Sequence, residues 1–191
     1  MSNNRKQQIL EAATKSFTQF GYKATTMDQV SRLANVGKGT IYTFYKNKED
    51  LFSEIIEGLL TDMKEAADKA FEPEHTFFEN VHRAIYRILE FRKTHLLTIK
   101  IYQESNELGT KTVKEGMQKV EEMVLNYIKQ KIILAIENKE IRACDPELTS
   151  FIFLKLYVSL IFDWEKNHEP LEKEKIAQLL ELYVLKGLSI R

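Results

Sequence analysis

The chain has 191 residues, 43% hydrophobic and 29% charged, with seven glycines and three prolines, an ordinary globular composition that allows one or two domains and is too poor in turn formers for many short strands. A lone cysteine, Cys144, excludes an internal disulfide, and the longest apolar stretch, Phe151 to Trp164, is broken by Lys155, Ser159 and Asp163 and is shorter than the ~20 residues that cross a bilayer. Formal net charge is zero, yet residues 1–48 hold eight basic residues against two acidic ones, a balance of +6 that leaves −6 for the rest; a basic head on an acidic body is expected where one part of a chain meets a polyanion.

No apolar stretch follows Arg5 and Lys6 as a signal peptide requires, so a reducing, cytoplasmic location and no membrane segment are expected. In chain order, Ile9, Leu10, Ala13, Phe17 and Phe20 recur at helical spacing, and Gly21 follows where a helix end favours a left-handed residue. Thr26-Met27-Asp28-Gln29 reads as a capping box that opens a second, short helix, with Val30, Leu33 and Ala34 turned inward. Asn35-Val36-Gly37 supplies a tight turn, because Asn and Gly tolerate positive φ. Lys38 to Tyr45 then form a third helix, on which Ile41, with Val36 before it and Tyr45 after it, packs back while Lys38, Thr40, Tyr42 and Thr43 face outward.

Two short helices joined by a glycine-containing turn match the helix-turn-helix, whose second helix enters the major groove. Spacing alone is equally compatible with a solvated polar face on a small three-helix unit. Thr25-Thr26-Met27, then Val36-Gly37-Lys38-Gly39-Thr40-Ile41-Tyr42, then Lys46-Asn47-Lys48-Glu49-Asp50-Leu51 resembles the DNA-binding signature of the tetracycline-repressor (TetR) family, in order and spacing over residues 5 to 52. The resemblance implies that Lys38 approaches base edges, that Gly39 permits backbone contact, and that Thr40, Tyr42 and Thr43 reach bases or phosphates. It makes Thr26 and Lys48 phosphate anchors at the N-termini of the second and fourth helices, where free amides and partial positive charge favour an anion. Gly37 belongs to the same interface, although it stands where the family often has a capping serine. Asn35 replaces a common glycine, and Phe44-Tyr45 reverses the usual order of a polar aromatic and a phenylalanine.

Beyond Lys48 the pattern predicts about six further helices, about nine in total, in an all-α fold, with breaks near Glu72-Pro73, Thr94-His95, Leu108-Gly109, Asp145-Pro146 and Glu169-Pro170. The expected domains are a helix-turn-helix domain, 1–48, and a helical effector-binding and dimerisation domain, 49–191. Asp145 caps a helix with Pro146 at its first position, and Val113, Met117, Val120, Val124 and Tyr127 mark one face of the long helix before it. The segment Phe151 to Trp164 is apolar around most of its girth, with Lys155, Ser159 and Asp163 four apart in one stripe, so it needs burial on more than one side. Together with the last helix it suggests a four-helix dimer interface, with Phe151, Leu154, Val158, Ile161, Leu180, Tyr183, Val184 and Leu188 as candidates; the alternative is a buried central helix in a monomer. The family resemblance implies dimerisation at the same place, and release of DNA by a small apolar or aromatic effector. Candidate effector contacts are Phe78, Tyr86, Phe91, Tyr102, Met123, Tyr127, Phe153 and Trp164.

His75, His82, His95 and His168 are scattered without a metal-ligand spacing, and neither a GxSxG elbow nor a full phosphate loop is present. No cofactor, metal or enzymatic activity is expected. The reading is a homodimeric, ligand-released repressor on a palindromic double-stranded DNA operator. The alternative is a helical ligand-binding or interaction protein without DNA-binding activity.

Overall fold

A computed structural model of the chain describes residues 2–94, 96–107 and 109–189. Among these, all regular structure is helical: α1 (Ser2–Phe20), α2 (Met27–Leu33), α3 (Lys38–Phe44), α4 (Lys48–Asp68), α5 (Phe77–Thr94), α6 (Leu97–Glu107), α7 (Lys111–Glu137), α8 (Pro146–Val158) and α9 (Lys173–Leu180). Helix α8 runs on through a π turn, Ser159–Asp163, and a 3-10 turn, Trp164–Lys166. Helix α9 continues through a second π turn, Glu181–Leu185, into Lys186–Leu188. The expected breaks fall between helices, except that His95 and Leu108 lie outside the described residues.

Helix boundaries follow local chemistry. Asp145 accepts the amides of Glu147 and Leu148 and so caps α8, with Pro146 at its start. A complete capping box opens α5, where the Thr76 hydroxyl accepts the Glu79 amide at 3.3 Å and the Glu79 carboxylate accepts the Thr76 amide at 2.8 Å. Gly21, at φ +84°, ends α1.

The chain divides into two compact units, residues 1–62 with 92–120, and residues 63–91 with 121–191. These units run across a cut after Lys48. In the first unit Ile9, Ala13 and Phe17 of α1, Val30 of α2, Ile41 of α3, Leu51 and Phe52 of α4, Ile101 of α6 and Val113 of α7 share one core. The Phe17 and Phe52 rings meet edge to face at 5.5 Å. Phe20 and Leu33, expected to face inward, are 44% and 49% exposed. Periodicity gives Phe20 a direction but not the extent of its neighbours. Leu33 sits roughly 110° around the helix from the centre of the face formed by Met27, Val30, Ser31 and Ala34, at about 100° per residue.

The second unit holds two apolar clusters. Phe77, Ile132, Ile141, Val184 and Leu188 form one, and Ile85, Leu89, Ile161, Ile176 and Leu180 the other. This placement divides the expected dimer residues. Leu154, Ile161, Leu180, Val184 and Leu188 are buried inside their own chain and Val158 is partly buried, whereas Phe151 and Tyr183 are open. A helix apolar around most of its girth has two sides that want cover, and sequence does not say which side its own chain takes. The solvent side of α8 carries Leu148, Phe151 and Ile152 ahead of Lys155, and the last helix adds Leu182 and Tyr183.

Candidate nucleic-acid interface

The recognition helix is oriented by one buried side chain. Ile41 of α3 is 0% exposed, with Val36 and Phe44 partly buried and Tyr45 buried around it, and this anchor turns the opposite face outward. Lys38, Gly39, Tyr42 and Thr43 are exposed and Thr40 is partly so. The turn before α3 takes the expected form, with Asn35 at φ +51°. Gly37 occupies the N-cap without a side-chain hydrogen bond, and an added Cβ at Gly39 would meet nothing within 4 Å, leaving that backbone open to close approach. Phe44 packs against the core instead of reaching outward.

An open groove is lined by Thr25, Thr26, Met27, Asp28, Lys38, Tyr42 and Lys48. It brings three of the expected contact residues, Lys38, Tyr42 and Lys48, beside the N-terminus of α2, where the Thr26 hydroxyl accepts the Gln29 amide at 3.2 Å. Two features of this groove were not visible in sequence. Lys38 pairs with Asp28 at 2.9 Å, and that hydrogen bond holds the lysine pKa above its ordinary value. Lys48 reaches back to donate to the backbone carbonyls of Tyr22 and Thr25, both at 2.8 Å, with its ammonium 4.3 Å from the Tyr22 ring centre. Partial burial pulls the Lys48 pKa down, against the raising influence of the Glu49 and Glu104 carboxylates.

Further groups fix the loop between α1 and α2. The Ser16 and Thr25 hydroxyls lie 3.0 Å apart, both buried, and Thr25 also donates to the Gly21 carbonyl at 2.8 Å. The Tyr22 hydroxyl donates to Glu49 at 2.8 Å, and burial pushes the Tyr22 pKa up to about 12. From α6 the carboxylate of Glu104, 5% exposed, accepts the Tyr22 amide at 2.6 Å and the Lys23 amide at 2.8 Å. Buried acids at single positions of long helices carry no local signature, so Glu104 was illegible in sequence.

The expected effector residues are divided. Tyr102 lies in the first unit and the other seven in the second. Phe78, Tyr86 and Phe153 pack against the apolar clusters there, and Phe91 is partly buried. Tyr127 donates to Asp68 at 2.9 Å. Met123 is 45% exposed, and Trp164 stacks on His168 with ring centres 3.9 Å apart.

Comparison with known proteins agrees with this geometry. A family profile described as "Bacterial regulatory proteins, tetR family" matches residues 9–55. A Bacillus subtilis (strain 168) protein described as an uncharacterized HTH-type transcriptional regulator, YhgD, is 67% identical over 189 residues, 99% of each chain. Among solved structures, the fatty acid degradation regulator FadR from Bacillus halodurans aligns with a TM-score of 0.78 at 17% identity, over 98% of this chain and 97% of its own. The SmeT–triclosan complex aligns with a TM-score of 0.80 at 16% identity, over 97% and 92%. At such identities these two likenesses concern the fold alone.

Proposed function

Because the chain belongs to the tetR family of bacterial regulatory proteins and is an HTH-type transcriptional regulator, we propose that it acts as a homodimeric repressor on a palindromic operator. A small apolar or aromatic effector releases it. One observation carries the DNA-binding reading: Ile41, wholly buried, turns Lys38, Gly39, Tyr42 and Thr43 outward, with Lys38 and Tyr42 in one groove with Thr26 and Lys48. Base readout needs such a short polar helix presented on its N-terminal side, and phosphate contacts need amides and cations flanking it.

A palindrome requires two recognition helices about one DNA turn, roughly 34 Å, apart. A second copy would find its surface on α8 and the last helix, which pack on each other and leave Leu148, Phe151, Ile152, Leu182 and Tyr183 exposed. An effector of apolar character suits the aromatic residues of the second unit, and the name of the SmeT–triclosan complex supports that class.

The test is a mobility shift with duplex DNA from upstream of the chain's own coding sequence. The wild type gives a discrete shift that depends on a palindrome. Tyr42→Ala abolishes it while circular dichroism and dimer mass stay unchanged, since Tyr42 is 46% exposed. Retained affinity in that variant would show that α3 is not the reading helix.

A further inference from the structure

We propose that Glu104 is a positioning residue for DNA binding, holding the loop of residues 21–25 in its DNA-gripping form from α6 and linking the state of that helix to operator affinity. The inference rests on the DNA-binding reading above and adds to it how the site is controlled.

The loop is held from two sides. Glu104 takes the N–H groups of Tyr22 and Lys23 on its two carboxylate oxygens, at 2.6 and 2.8 Å. Lys48 takes the carbonyls of Tyr22 and Thr25, both at 2.8 Å. Tyr22 thus has its N–H on an anion and its C=O on a cation, and hydrogen bonds to ionised groups are the short, strong kind. Gly21 completes the arrangement, since a Cβ there would lie 2.6 Å from Oε2 of Glu104 and its φ is +84°. A glycine is needed both for the backbone angle and for room to admit the carboxylate.

The loop leads directly into the functional surface. Thr25 and Thr26 line the groove with Lys38, Tyr42 and Lys48, and Thr26 caps α2. Glu104 lies 82 residues from Tyr22 in sequence and outside the three helices of the DNA-binding motif. Two bonds of this length cannot survive a shift of α6 by more than about an ångström, because hydrogen bonds beyond about 3.5 Å are lost. Linkage is reciprocal: if Glu104 favours the gripping form of the loop, bound DNA favours the bonded form of α6 by the same factor.

The experiment uses the full chain, free and bound to the upstream duplex, with amide hydrogen exchange read at Tyr22, Lys23 and the α6 residues Ile101 to Glu104. In the DNA-free wild type the Tyr22 and Lys23 amides exchange at least tenfold more slowly than the exposed Lys46 amide, and DNA slows exchange in α6 further. Glu104→Gln keeps the size but turns one acceptor into a donor that faces an N–H. It raises Tyr22 and Lys23 exchange at least tenfold, lowers operator affinity at least tenfold, and removes the DNA-dependent slowing in α6, while helix content and dimer mass stay unchanged. Fast exchange at Tyr22 and Lys23 in the free wild type overturns the proposal even if the variant fails to fold. So does wild-type affinity in a folded Glu104→Gln, or an α6 whose exchange ignores bound DNA. A wild type that binds no duplex, with both amides protected, sinks the DNA-binding reading and the link to operator affinity, leaving the clamp as local structure only.

Discussion

Removing the Lys48 ammonium separates two roles that sequence alone merges. As a simple phosphate anchor, Lys48 would cost DNA affinity and nothing else when truncated. Its ammonium instead donates to two backbone carbonyls at 2.8 Å, using two of its three donors and leaving one for a phosphate. Hydrogen bonds to charged groups contribute roughly 1.5–3 kcal/mol each. Partial exposure lets water replace part of both, which reduces the pair to about 1–2 kcal/mol. For a chain of this size that corresponds to a fall in Tm of about 2–8 °C without DNA. Lys48→Met is the sharper substitution, because it keeps an apolar stem and deletes the ammonium with its charge and donors. Its operator affinity, read by fluorescence anisotropy from low to high salt, should fall with a salt slope smaller by about 0.9 per chain, the loss of one phosphate contact. If the DNA-free melting curve of Lys48→Met superimposes on that of the wild type, the two carbonyl bonds carry no weight and the loop clamp is wrong.

Two further substitutions test neighbouring parts of the surface. Asp28→Asn removes the partner of Lys38 and a negative charge from the groove, so operator binding read by fluorescence anisotropy should tighten several-fold; unchanged affinity would mean that the pair does not hold Lys38 back from the base edges. Phe151→Asp combined with Tyr183→Asp places charge on the exposed apolar surface of α8 and the last helix, and should yield a folded monomer in analytical ultracentrifugation with operator affinity lost. Persistence of the dimer would move the interface elsewhere. By contrast, Ile161→Ala, at a 0% exposed position, should lower stability by about 2–4 kcal/mol without directly touching the partner.

What could be read in the sequence was what local chemistry decides. The Thr26 cap, the Asn35 turn, the Asp145-Pro146 start and the inward Ile41 each depend on residues within one helical turn, and each appears in the structure. Leu33 went astray because α2 has only seven residues, too few for an apolar pattern to fix the centre of its face. The dimer candidates divide for a different reason: α8 is apolar on both sides, and its own chain covers Leu154 and Ile161 while leaving Leu148 and Ile152 open. Asp28, Glu104 and the inward reach of Lys48 were illegible, because each depends on a partner or direction that periodicity does not encode. The 82-residue separation of Glu104 and Tyr22 is a tertiary fact.

These pairings change what the basic head offers to DNA. The formal +6 of residues 1–48 already subtracts Asp28, the partner of Lys38, but not Glu54, which lies beyond residue 48. In the folded chain Lys38 is bound to Asp28 at 2.9 Å and Lys6 to Glu54 at 2.8 Å, and Lys48 spends two donors on backbone. A lysine already paired with a carboxylate releases fewer counterions when a phosphate arrives, so the Lys6–Glu54 pair trims the sequence-independent part of binding by about one charge. What remains is contact that depends on position: the exposed Tyr42 and Thr43, the open backbone at Gly39, and the amides at the start of α2. A surface of that kind loses affinity steeply when its loop moves by an ångström, whereas a diffuse cationic patch would barely register the change. Coupling the loop to α6 through Glu104 therefore acts on the contacts that depend on position.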